Sequence, residues 1–263
     1  MQTGPVNTGG DIAELFVGRK QTIGELLNPK RSPIVVPDWQ RHFSWEVLEV
    51  QCLWLDLLAF ANHHKGASLD QREYSLGSLL LAEHEGSYVL LDGQNRLATA
   101  TILLSVIRDY AFRRCDTTAL RIQQEYISVV DEANGRPRYT LTLNRSDRDF
   151  FRRWIQDLPK PDQLFHEPQV DSHQRIWQAR NLLVEQLEQQ CSLRGHGKQA
   201  MDWLVRVRKT LTHHVVVRTA LTVWTPSMQM PRGRHPHRPS ASETATCGQK
   251  AAEDGVSAVV RAS

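Results

Sequence analysis

One segment constrains this chain more than any other: a short apolar strand that runs through Asp-Gly directly into a long helical pattern. Tyr88-Val89-Leu90-Leu91 is strand-like, and Leu97, Ile102-Leu103-Leu104 and Ile107 carry helical periodicity to about Phe112. Between them, Asp92-Gly93-Gln94-Asn95-Arg96 makes the turn. Upstream, Tyr74 to Leu81 is a second strand-like run, and His84-Glu85-Gly86 supplies turn chemistry, so an antiparallel hairpin is expected.

The chemistry of such a turn follows from its parts. Gly93 permits backbone angles and close approaches that other residues do not. The free amides and dipole of a helix N-terminus favour a phosphate, and Arg96, one turn in, can add a bidentate contact to it. Asp92 can hold a magnesium ion bridging phosphates, or can simply cap the helix. Gln94 and Asn95 can hydrogen-bond phosphate, ribose or an attacking water. Neither GxxxxGK[ST] nor GxGxxG occurs, so a nucleotide site here is of another kind.

Around this segment, Ile12–Phe16 and Ile23–Leu27 read as short helices, and Ile34–Val36 as a strand closed by Pro37. An aromatic and polar loop, Pro37 to Trp45, follows, with Ser44 expected to cap a helix starting near Glu46. Leu48, Leu55 and Leu58, with Trp54, are its expected apolar stripe. Beyond a polar linker (63–72) and the hairpin, Tyr139–Leu143 alternates like a strand, and Asp147 is placed to cap a helix reaching about Ile155. Helical patterns occupy roughly 172–191 and 198–211, and Val215–Val217 reads as a buried strand. After Leu221, prolines and arginines interleave without period, which predicts an irregular or disordered tail.

Composition excludes several classes. No window approaches the roughly eighteen apolar residues of a membrane span, and the polar N-terminus is unlike a secretion signal. Cys52, Cys115, Cys191 and Cys247 contain no CxxC pair, which favours free thiols in a reducing cytoplasm over a metal cluster. The adjacent pairs His63-His64 and His213-His214 have poor ligand geometry. A formal charge of +3 makes no global case for nucleic acid, and Arg145, Arg148, Arg152 and Arg153 read as a solvated helix face.

Three ordered motifs add a resemblance. Val36-Pro37-Asp38-Trp39-Gln40-Arg41-His42-Phe43-Ser44-Trp45 resembles the IPxYQRxYxW opening of the GmrSD-type restriction endonuclease N-terminal family. Tyr74-Ser75-Leu76-Gly77-Ser78-Leu79 is similar to its LGS strand, and Leu91 to Thr99 to its signature hDGQQRLTT. Leu143-Asn144-Arg145-Ser146-Asp147 resembles a later element, and the likeness extends over about residues 12–217.

This resemblance implies an α/β (α+β) fold, with a ParB/sulfiredoxin-like small-sheet core followed by a mostly helical segment. The expected boundaries are a flexible N-terminus at 1–10, a nucleotide-binding core at 11–115, helices at 116–220 and a tail at 221–263. It also implies binding and hydrolysis of a nucleoside triphosphate with Mg2+ or another divalent cation. The setting is a bacterial phage-defence restriction system acting on modified DNA. Asp92, Gln94, Asn95 and Arg96 are then the catalytic candidates, Gly93, Arg96, Gln40 and Arg41 the nucleotide-binding ones, and Asp92 the metal ligand. The expected partners are the nucleotide, DNA and an HNH-type nuclease, since no HNH signature is visible in this chain.

Two departures bear on competence. Asn95 stands where the family usually has Gln, and the tail replaces a further helix and an Asn-x-x-Gly element. A shifted reading frame near Leu221 would account for the change in composition. The alternatives are a non-catalytic module in which Gln40 and Arg41 contact DNA or a partner, and an inactive truncated remnant.

Overall fold

The hairpin forms as expected in a computed structural model that describes residues 17–62, 72–114, 117–160, 167–195 and 197–225. β3 (Tyr74–His84) and β4 (Ser87–Asp92) pair antiparallel around Glu85 and Gly86, whose φ values of 47° and 74° make a two-residue turn matched to strand twist. They lie in the middle of a six-stranded mixed sheet of order β1-β8-β3-β4-β2-β7. β8 (Val215–Val223) runs parallel to β3, and β1 (Val17–Thr22) closes that edge antiparallel to β8. On the other side, the two-residue strands β2 (Ile34–Val35) and β7 (Leu141–Thr142) extend the sheet in parallel from β4. β5 (Ser128–Val130) and β6 (Pro137–Tyr139) form a separate small hairpin. With seven α-helices among the described residues, the class is α/β, as expected.

Helix α3 (Gln94–Phe112) is the core of the molecule. Every residue from Leu97 to Ala111 is buried, because the helix is covered by other helices. Its neighbours include α4 (Thr118–Ile122), α6 (Asp171–Ser192) and α7 (Lys198–Lys209). Even Arg108 is fully buried. Its guanidinium holds Asp109 at 2.7 Å and donates to the carbonyls of Ile155, Gln156 and Asp157, where a π-helical turn (Arg152–Gln156) ends. Those carbonyls lack intrahelical donors, so the arginine acts as a buried C-cap.

The structure corrects several local expectations. In α2 (Val47–Asn62) the inward face is Val50, Leu53, Trp54, Leu57 and Ala61, whereas Leu48 and Leu55 are 72% and 50% exposed. Leu48 and Leu55 are seven apart and share a stripe, but Trp54, edge-on to Trp203 at 6.3 Å, turns the other stripe to the core. Ser44 does not cap α2. Its hydroxyl is taken by Asn95, and the Glu46 N–H is met by Glu49 instead. Asn144, not Asp147, caps α5 (Arg145–Phe151), because the Asn144 side chain accepts from the Asp147 N–H. Val215–Val217 is only the start of the nine-residue β8, which pairs as far as Val223. The short helix expected at 12–16 lies outside the described residues, as do most of the 63–72 linker and the tail from residue 226.

Candidate functional site

At the end of β4 the chain reverses into α3 through Gly93, with φ 94° and ψ 14° in the left-handed region. A Cβ here would meet Leu79 Cδ2 at 2.1 Å and the Ser78 carbonyl at 3.2 Å, so both the backbone angle and the close approach to β3 require glycine. No side chain caps this N-terminus, where the Arg96 N–H turns to the Gly93 carbonyl at 3.1 Å. Asp92, just before it, is exposed, and its carboxylate has no partner among the described residues.

The second motif meets the first in space. β3 is irregular between Ser75 and Ser78, where Gly77 adopts φ 95°. The Arg96 guanidinium lies over that glycine, with Nε 3.2 Å from where a Cβ would be, and Nη1 reaches the Ser78 carbonyl at 3.4 Å. The bulge therefore makes room for the arginine, and any side chain at 77 would displace it.

The loop between β2 and α2 crosses the start of α3 and is gripped at each residue from Gln40 to Ser44. β2 pairs with β4 only through Val89, and the Gln40 amide takes the Leu91 carbonyl beyond that pairing. Gln94 Nε2 donates to the carbonyls of Arg41 at 2.5 Å and His42 at 3.4 Å. Asn95 exchanges two hydrogen bonds with Ser44, accepting from its N–H at 3.2 Å and donating to its hydroxyl at 2.9 Å. From the other side, Asn144 Nδ2 reaches the carbonyls of Gln40 and Arg41 at 3.3 and 3.1 Å. Asp147 Oδ2 accepts the Phe43 N–H at 2.9 Å. The space enclosed by Phe43, Gln94, Asn95, Ala98, Leu143 and Asn144 leaves no room for a water molecule.

All the residues expected at the site thus converge on one turn, but with two orientations. Asp92 and the Arg41 side chain are exposed, and Arg96 is half-buried. Gln94 and Asn95 are 7% and 3% exposed and face the loop, not an open surface. Asn144, Asp147 and Ser172 were not among the expected site residues. For Asn144 and Asp147 the available signals were the N-cap spacing in Asn-x-x-Asp and the resemblance of Leu143–Asp147 to a later family element, and Ser172 carries none.

Among the described residues no group of three or more His, Cys, Asp or Glu could hold a metal ion, and no helix is long and apolar enough to cross a membrane. No curated protein is a match to the chain. Residues 23–224 match the model of the GmrSD restriction endonuclease N-terminal domain, a span that takes in the loop, the bulge and the α3 turn. The chain belongs to that family and is a component of a restriction system of the phage-defence kind.

Proposed function

We propose that the turn at Asp92–Arg96 and the Gln40–Arg41 loop bind the phosphates of a nucleoside triphosphate and promote its hydrolysis, as the sensing step of a system that restricts modified DNA. The observation that carries this reading is the uncapped N-terminus of α3, flanked by Arg96 and next to an exposed Asp92. An uncapped helix N-terminus presents amides and a positive dipole end to an anion. Arg96 and Arg41 would neutralise charge that builds on phosphate oxygens, the interaction that phosphoryl transfer most needs.

A single carboxylate suits a magnesium ion, which usually takes one or two protein carboxylates and completes its shell with phosphate oxygens and water. Asp92 would hold that ion, and when bound it would offset phosphate charge. Gln94 and Asn95 act by holding the Gln40–Ser44 loop at its height over α3, since their amides are already engaged there. In this chain the shorter Asn95 still reaches Ser44 with both of its amide atoms.

The test is phosphate release from nucleoside triphosphates, with and without DNA and divalent cation. Arg96→Ala and Asp92→Ala are each expected to lower turnover by about 100-fold or more. Unchanged turnover in Arg96→Ala refutes the assignment. A second reading, a non-catalytic DNA-binding module, draws on the exposed arginine Arg41 and on Arg145 and Arg148, which reach the loop at Asp38. It predicts steeply salt-dependent DNA binding without nucleotide turnover.

A further inference from the structure

We propose that Asn144, Asp147 and Ser172 are positioning residues for the Gln40–Arg41 loop, a second clamp that works opposite Gln94 and Asn95. The inference rests on the nucleotide reading of that loop. Gln94 and Asn95 sit at the start of α3, in the same segment as the phosphate site. The opposing clamp comes from the start of α5 and the first turn of α6.

Its chemistry is specific to the loop backbone. The Arg41 carbonyl accepts from Gln94 on one side and Asn144 on the other, which uses both of its lone pairs. Asp147 is 1% exposed. Its Oδ2 takes the Phe43 N–H, while Oδ1 takes the Ser172 hydroxyl at 2.5 Å from the first turn of α6. His42 Nδ1 and His173 Nε2 lie 3.8 and 3.7 Å from the same Oδ1, beyond hydrogen-bond distance, and His173 Nε2 is instead 2.9 Å from the Ser146 carbonyl. Asn144 meanwhile caps α5 through its carbonyl oxygen and spends its amide on the loop. The space between these groups is too small for water, so the backbone atoms of the loop rely on the side chains that hold them. The height of Arg41 over the α3 N-terminus is therefore set jointly by three segments distant in sequence.

The experiment combines amide hydrogen exchange and nucleotide hydrolysis on the full chain. Asp147→Ala is expected to speed exchange of the Phe43 N–H by about 10- to 100-fold, the range for a hydrogen bond to a charged acceptor. Ser172→Ala, a gentler change in case Asp147→Ala fails to fold, is expected to speed it severalfold. Exchange of the α3 core amides from Leu97 to Ala111 should stay unchanged, and turnover should fall. Asp147→Asn should restore both readouts, since its amide can accept from Phe43 and donate to the Ser172 oxygen. Unchanged Phe43 exchange in Ser172→Ala, or acceleration spread evenly through α3, overturns the proposal. Absence of hydrolysis by the unaltered chain refutes the nucleotide reading alone, because loop exchange is measured without nucleotide and still decides the clamp.

Discussion

Gly93→Ala tests the geometry on which the site depends. The residue has φ 94°, where an L side chain costs about 1–2 kcal/mol. The new methyl would also stand 2.1 Å from Leu79 Cδ2, and Leu79 is only 1% exposed, so its side chain cannot swing into solvent. Forcing an extra methyl into a packed core costs a further 1–3 kcal/mol or so. Turning Leu79 aside would still leave the Ser78 carbonyl at 3.2 Å, and that atom is backbone. The sum, roughly 2–5 kcal/mol, is a large share of the stability of an ordinary domain. At about 2–4 °C per kcal/mol for a chain of this size, thermal unfolding followed by circular dichroism should show a fall of roughly 4–20 °C.

Gly86→Ala is the control. Its φ of 74° carries the same backbone cost, but a Cβ there meets nothing within 4 Å. It should lose about 1–2 kcal/mol and no more. Adding Leu79→Ala to Gly93→Ala removes the clash, so the double variant should be more stable than the summed single effects by about 1 kcal/mol or more. If Gly93→Ala melts where Gly86→Ala does, the close packing of the turn on β3 is wrong, and with it the placement of Asp92 and Arg96.

Two further predictions concern the scaffold. Arg108→Met should lower stability in urea unfolding by roughly 2–6 kcal/mol, at about 1–3 for each stranded group, because the Ile155 and Asp157 carbonyls lose their donor while Asp109 keeps Arg180 and the Gln156 carbonyl keeps Gln123; a loss near zero would refute the buried cap. Burial, and then its hydrogen bond to Asp157, hold the Tyr139 phenol well above its ordinary value of 10. A raised folded-state pKa contributes stability that is full below the unfolded value and lost as pH rises through the folded one. Tyr139→Phe should therefore be less stable near neutral pH yet decline less steeply between about pH 9 and pH 11. Parallel stability curves for the two proteins would contradict this.

What the sequence determined by itself was local. Two apolar runs around Glu85-Gly86 and a glycine between strand and helix specify the hairpin and the β4–α3 turn, because strand period, turn angles and helix period are read within a few residues. The long pattern of α6 was legible for the same reason. Motif order also placed Gln40, Arg41 and Gly77 with the Asp92–Arg96 turn, although spacing alone could not say how they meet.

Tertiary structure decided the rest. Arg108 is buried because Asp109, Gln123 and the carbonyls that end the Arg152–Gln156 turn all meet its guanidinium, partners that its own helix pattern does not announce. Leu48 and Leu53 are equally apolar, and the position of Trp203 selects which stripe of α2 faces inward. β1 is polar and too irregular to be expected, yet β8 offers it a full row of hydrogen-bond partners some 200 residues away in sequence. The same holds at the site. Asn144 and Asp147 lie 104 residues from the loop carbonyl and amide they hold, and Ser172 lies 25 beyond Asp147. A backbone N–H or carbonyl carries no residue identity, so a side chain that recognises one leaves no complementary mark at the other end of the chain.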